Sequence, residues 1–246
     1  MIDCGLATVR ALLRLRGQRL LLVSAGTLLT VGASSIVVEA PSARRQMVTA
    51  TVFYGGLALT WSLVAGWLGR ELRSGSILQW AQLPVSIVVV YALRFTMAAG
   101  TALLLAGLQA AVVGVFVQPA APADATHLLA GLPGMLLVYL VFSGLVWTLG
   151  GWGVVGDGWA ALLLALELSV LELMARLRPE WLGPAAGPLD IIGLPLDDLG
   201  LSASLLSDAS TGTGAALIRV MAWLAGCATL GALGIRCRPL RPPMAD

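Results

Sequence analysis

With 246 residues, of which 58% are hydrophobic and 11% charged, the chain falls outside the composition of water-soluble domains, where about a quarter of residues are charged. Its mean hydropathy of +0.90 points the same way. The 15 basic and 13 acidic residues gather in short stretches between apolar runs, which excludes a soluble globular fold. Three cysteines and a single histidine show no ligand spacing, so no metal site is expected.

Apolar runs long enough to cross a membrane occur six times along the chain. A span needs about 20 consecutive apolar residues to cover roughly 30 Å of hydrocarbon. The predicted spans are Leu20 to Val38, Met47 to Leu68, Val88 to Val117, Leu128 to Leu149, Trp159 to Met174 and Ala215 to Ile235. The pattern therefore predicts an all-α integral membrane protein with six transmembrane helices in one domain, residues 20–235.

The first 19 residues carry a pattern of their own. Leu6, Val9 and Leu13 recur at helical spacing, whereas Arg10 and Arg14 lie one turn apart on another face. This pattern predicts a basic interfacial helix at residues 1–19 that lies on the inner leaflet. The same arginines are also typical of a simple topology signal, and the sequence leaves both interpretations open.

Arginine bias predicts the orientation, because basic loops are held on the cytoplasmic side during insertion. With the N-terminus inside, nine loop arginines are cytoplasmic and four are outside. The cytoplasmic set is Arg10, Arg14, Arg16, Arg19, Arg70, Arg73, Arg236, Arg238 and Arg241, and the outer set is Arg44, Arg45, Arg176 and Arg178. Both termini are therefore predicted to be cytoplasmic, with residues 236–246 as a cytoplasmic tail.

Two connecting segments are longer than a hairpin requires. Residues 70–86 join the second and third spans, and Ile77, Trp80 and Ala81 fall at helical spacing after Gly75. This pattern predicts a short amphipathic element, although a plain connector is the alternative. The outer segment at 177–213 is interrupted by prolines and glycines, and its apolar patches are too short to span, which predicts re-entrant or surface-lying turns.

Four ionisable residues fall inside the predicted spans, where an unpaired charge costs about 3 kcal/mol or more. Arg94 lies two turns into the third span, and we expect its long stem to reach the cytoplasmic headgroups. Glu167 and Glu172 in the fifth span match the depth of Arg219 in the sixth. A buried Glu–Arg pair that fixes helix register is the favoured interpretation, and substrate contact is the alternative.

The region from Trp61 to Phe95 resembles the signature region of ABC-2-type permeases, the membrane subunits of ATP-binding-cassette exporters. The matching features are an acidic residue after the second span, a Gly-Ser pair and a Leu-Pro-Val-Ser exit into the third span. In this sequence they are Glu71, Gly75 with Ser76, and Leu83 to Ser86 with Pro84. The layout of interfacial helix, six spans and inward termini resembles that family as well.

The resemblance implies a mechanism and partners. Such permeases pair as a homodimer or with a second permease subunit, and the loop between the second and third spans docks into an ATPase subunit as a coupling helix. Glu71, Gly75, Ser76, Ile77, Trp80 and Pro84 would then couple the chain to the ATPase. Because the chain has no GxxxxGK[ST] phosphate loop, ATP and Mg would bind on the partner, and no cofactor is expected here.

The sequence thus predicts the permease subunit of an ATP-driven exporter in the bacterial inner membrane, moving a hydrophobic or amphipathic substrate and in contact with membrane lipid. Neither catalysis by this chain nor nucleic-acid binding is expected. One alternative is the related haem-exporter-type subunit of cytochrome c maturation, against which the extended outer segment argues. Another is a membrane-embedded enzyme, for which His127 offers no convergent nucleophile in the sequence around it.

Overall fold

The computed structural model of the chain describes residues 2–74, 85–117, 122–165, 167 and 213–237. These residues form helices joined by short connections, and no strand occurs among them. We number the helices α1 (Ile2–Val37), α2 (Pro41–Val64), α3 (Leu68–Arg73), α4 (Ile87–Val117), α5 (Pro122–Gly151), α6, which is described over 157–165, and α7 (Thr213–Arg236).

Within the described ranges, four helices are long and apolar enough to cross a membrane. They are Asp3–Val37, Pro41–Arg73, Ile87–Val117 and Pro122–Gly151, and α7 adds a shorter apolar helix at Val220–Arg236. The all-helical architecture is therefore confirmed among the described residues, and the four long apolar helices are consistent with a multi-pass membrane protein. Half of the predicted fifth span at 159–174 lies outside the described residues, as does the outer segment at 177–213 except for its last residue. The count of six spans therefore stays a prediction.

The N-terminal region departs from the sequence prediction. Residues 1–19 were expected to form a separate interfacial helix before the first span, but α1 runs without a break from Ile2 to Val37. The physical reason is that no proline occurs between Ile2 and Val37 to interrupt the helix. Near the expected boundary the sequence has a single glycine, Gly17. The basic turns at 2–19 therefore continue directly into the apolar helix as one element, and their location on the inner leaflet stays a prediction.

The order of contacts along the bundle gives the direction of each long helix. Arg16 of α1 meets the last turn of α2, whereas a side chain at Gly55 of α2 would contact Thr27, so α1 and α2 are antiparallel. The helix α7 runs in the same direction as α5, because Cys227 lies against Gly144 and Gly231 lies against Gly151. The first turn of α1 and the last turn of α7 consequently lie at the same end of the bundle.

We name the two ends of the bundle after a buried aspartate at each. The Asp157 end holds the first turns of α1, the whole of α3, the start of α6 and the last turn of α7. The Asp124 end holds the connection from α1 to α2 and the start of α5. Within the described residues, the arginines that the sequence analysis placed on opposite sides of the membrane therefore lie at opposite ends of the bundle.

The break between α2 and α3 occurs at a glycine. Gly66 has φ of +79°, a left-handed conformation that other residues rarely adopt, and the amide of Ala65 closes the last turn of α2 on Trp61. The chain therefore leaves the axis of α2 at this point and turns inward. As a result α3 packs under the bundle against α5 instead of extending α2 into solvent.

The contact between α5 and α7 is made by backbone on backbone. A Cβ atom at Gly151 would lie 2.5 Å from the carbonyl oxygen of Gly231, and one at Gly234 would lie 2.8 Å from the carbonyl carbon of Gly151. Small residues allow helices in a membrane to approach this closely. The close approach of α5 and α7 therefore depends on the absence of a side chain at Gly151.

Candidate functional site

The short helix α3 opens the predicted coupling region and is fixed firmly to the bundle. Leu68 and Leu72 are buried, and a Cβ atom at Gly69 would collide with the carbonyl oxygen of Val154. Arg73 Nε donates to the carbonyl oxygen of Gly153 at 2.8 Å. The first turn of the coupling region is therefore a rigid part of the transmembrane fold.

A bidentate ion pair joins α3 to α4. Arg94 Nη1 and Nη2 donate to Glu71 Oε2 and Oε1 at 2.7 and 2.8 Å, which is the fork geometry that makes Arg–carboxylate pairs strong. Arg94 Nε donates to Thr8 Oγ1 at 2.7 Å, so the same guanidinium also reaches α1. One buried cation thus ties together α1, α3 and α4.

Two aromatic rings complete the surroundings of this cation. The guanidinium carbon of Arg94 lies 5.1 Å from the ring centroid of Trp67 and 5.3 Å from that of Tyr91, within cation–π distance. We call Thr8, Trp67, Glu71, Tyr91 and Arg94 the Arg94 cluster. It lies at the Asp157 end of the bundle.

The position of Arg94 corrects the expectation that its side chain reaches the headgroups. That side chain is only 7% exposed, whereas the Glu71 side chain is 28% exposed. The reason is the turn at Gly66, which brings a carboxylate inward to meet the arginine at its own depth. The carboxylate of Glu71 is likewise engaged within the chain, and its role in coupling stays a prediction.

The other candidate residues are described in part or not at all. Gly75, Ser76, Ile77, Trp80, Pro84 and Glu172 lie outside the described residues. Arg219 is described only as a part of α7, and Glu167 is described and exposed. The predicted pairing of Arg219 with a glutamate of the fifth span therefore stays a prediction.

Asp157 is a site residue that the sequence analysis missed. Its side chain is fully buried, and Oδ1 accepts hydrogen bonds from the backbone amides of Gly66 at 2.5 Å and Gly158 at 2.8 Å. Burial raises the pKa of this carboxyl group, although the two amides and the charges of Arg16 and Arg70 oppose that shift. The available signal was a lone acidic residue within the glycine-rich turn between two spans.

Asp124 plays a similar part at the other end of the bundle. Its carboxylate accepts from Arg44 Nε at 3.2 Å and from Arg45 Nε at 2.9 Å, and its side chain is 3% exposed. These bonds join the start of α5 to the start of α2. Opposite charges in two loops predicted on the same side of the membrane were the signal for this contact.

The middle of the bundle also contains a buried amide side chain, that of Gln109. Gln109 of α4 is 7% exposed, and neither atom of its amide has a hydrogen-bond partner within the described part of the chain. A side chain at Gly55 would collide with this amide and with Thr27. Sequence reasoning limited to ionisable residues overlooked Gln109 because its side chain carries no charge.

Comparison with known proteins adds no family assignment. No protein-family model, curated protein or solved structure matches the chain. The ABC-2-type resemblance therefore rests on the motif around Glu71 and on the layout of the spans.

Proposed function

We propose that the chain is the transmembrane permease subunit of an ATP-driven exporter, moving a hydrophobic or amphipathic substrate with energy from a separate ATPase subunit. The observation that carries this proposal is the Arg94 cluster. It joins α3, the first turn of the coupling region, to α4 and α1 through an ion pair and a hydrogen bond. A load applied to residues 75–84 would therefore reach three helices through short contacts.

The distribution of arginines supports an orientation with the Asp157 end in the cytoplasm. Arg16, Arg70 and Arg73 lie at that end, whereas Arg44 and Arg45 lie at the Asp124 end. Basic residues near span ends are retained on the cytoplasmic side. In this proposal both termini face the cytoplasm of a bacterium, and the chain crosses the inner membrane six times.

The ATPase partner binds ATP and Mg, and a second permease, either a copy of this chain or a related one, completes the path. Because the Glu71 carboxylate binds Arg94, we assign force transmission to Glu71 and docking to the apolar face predicted for Ile77 and Trp80. This division separates two effects that a mutation in the loop could have. Loss of Trp80 affects assembly, and loss of Glu71 affects coupling.

Co-purification tests the proposal directly. A tagged chain expressed in its native host should capture an ATPase subunit, and hydrolysis by the captured complex should respond to substrate. Trp80→Ala should weaken that association by about 2 kcal/mol or more, as expected for a central aromatic anchor. Trp152→Ala is the matched control, since Trp152 is 53% exposed at the same end of the bundle but outside the loop.

Glu71→Gln should leave capture of the ATPase intact and lower the substrate response of its hydrolysis. The proposal fails if the wild-type chain captures no ATPase subunit. The docking role of the loop fails if Trp80→Ala assembles as well as Trp152→Ala does.

A further inference from the structure

A cavity of about 480 Å³ opens at the Asp157 end of the bundle, among α1, α2 and α6, and it is separate from the Arg94 cluster. Its wall contains three arginines and two tryptophans beside a single acidic residue. The residues that the argument uses are Arg16, Arg19, Arg70, Trp61, Trp159 and Leu22. Three positive charges against the one negative charge of Asp157 make this cavity a place that attracts anions.

Two of the arginines are held in place by the backbone. Arg16 Nη1 donates to the carbonyl oxygen of Ala65 at 2.7 Å and also to that of Ser62, both at the end of α2, and Arg70 Nε donates to the carbonyl oxygen of Gly66. These bonds use one nitrogen of each guanidinium and fix its position. Positively charged side chains are favourable at a helix C-terminus, which explains why Arg16 lies here.

The Nη2 atoms of Arg16 and Arg70 both approach the space beside Gly66. A Cβ atom placed on Gly66 would lie 3.4 Å from Arg70 Nη2 and 3.9 Å from Arg16 Nη2. Because Gly66 has no side chain, the space between the two guanidinium groups stays open. Paired guanidinium forks of this kind match the oxygens of a phosphate group.

The remaining wall is apolar and lies beside the last turn of α2 and the first turn of α6. The rings of Trp61 and Trp159 meet edge to face with centroids 4.5 Å apart, and Trp159 is 59% exposed. Leu22 of α1 is 73% exposed beside the cavity, and Leu29 continues the same exposed apolar surface at 74%. A ligand with an anionic head and an apolar tail would therefore meet matching chemistry along its length.

We propose that this cavity binds a phosphate group, supplied by the headgroup of an anionic phospholipid whose acyl chain lies along α1. Arg16 and Arg70 hold the phosphate beside Gly66, and Arg19 at the cavity mouth adds charge. None of these residues belongs to the Arg94 cluster, although Arg70 of α3 begins the predicted coupling region at residues 70–86.

Binding can be measured on the purified chain in an uncharged detergent by following its thermal unfolding midpoint. The probes are phosphatidylglycerol, phosphatidylcholine and inorganic phosphate. Phosphatidylglycerol should stabilise the wild type at concentrations at which phosphatidylcholine does not. Each arginine near an anionic surface contributes about fivefold in affinity, so Arg19→Gln and Arg70→Gln should each weaken phosphatidylglycerol binding by about that factor.

Arg14→Gln is the matched control, because Arg14 is exposed on the same helix and does not line the cavity. Its affinity for phosphatidylglycerol should equal that of the wild type. Equal stabilisation by inorganic phosphate would support phosphate recognition and refute the lipid as its source. Equal stabilisation by both lipids, or equal weakening in Arg14→Gln and Arg19→Gln, would overturn the proposal.

Discussion

Replacing Glu71 and Arg94 separately and together should show that their contributions to the free energy of unfolding are strongly coupled. The two single replacements should differ in their cost. Glu71→Leu leaves a guanidinium that is 7% exposed without its carboxylate, although Thr8 and the two aromatic rings remain beside it. Breaking a buried pair in this way costs about 3 kcal/mol of unfolding free energy. Arg94→Leu leaves a carboxylate that is 28% exposed and accessible to water, so its cost should be lower, about 1–2 kcal/mol.

The double variant distinguishes this reasoning from simple packing damage. With leucine at both positions no charge is left buried, and Thr8 keeps its hydrogen bond to the carbonyl oxygen of Cys4 at 3.0 Å. Replacement of a buried ion pair by apolar residues is often neutral, so the double variant should lie within about 1 kcal/mol of the wild type.

Unfolding by SDS in mixed micelles, followed by tryptophan fluorescence, measures all four proteins of this cycle. The expected order of stability places the Glu71→Leu variant last and the double variant above it. If the two single costs simply add in the double variant, the residues are not coupled and the Arg94 cluster does not transmit force.

Three further predictions follow from other parts of the structure. In a chain freed of native cysteines, a cysteine at Ser207 should be labelled from outside intact cells and one at Ser74 should not; the reverse pattern would refute the orientation. Gly231→Val should separate α5 from α7 by collision with the Trp147 ring and lower the unfolding free energy by several kcal/mol, and wild-type melting would contradict the backbone contact. Because the folded state holds the Asp157 proton more tightly than the unfolded state, wild-type stability should fall as pH rises through the folded pKa; Asp157→Asn should lose this dependence in melting curves, and an unchanged slope would exclude Asp157 as its source.

Span positions could be read from the sequence because the length of an apolar run reports them directly. The runs predicted at 88–117 and 215–235 agree with Ile87–Val117 and Thr213–Arg236 to within two residues at each end. The helix boundary near residue 19 could not be read in the same way. A change from amphipathic to uniformly apolar sequence changes the surroundings of a helix but does not interrupt its hydrogen bonds, so α1 continues.

The candidate site was predicted less well, because its contacts depend on one backbone turn. Glu71 and Arg94 were each identified, but nothing in their spacing pairs them. Their meeting requires Gly66 to turn the chain under the bundle, and a glycine in an apolar run carries many other meanings. Asp157 was missed for the same reason, since its partners are backbone amides that no sequence pattern displays.

The glycine contact between α5 and α7 limits how this bundle can move. Two helices whose backbones touch at Gly151 and Gly231 cannot rotate past one another without first separating, and separation exposes a groove that no side chain can fill. These two helices must therefore move as one rigid unit during any conformational cycle. By contrast, α1 meets α2 and α4 through the side chains of Arg16, Thr8 and Thr27, which can change rotamer.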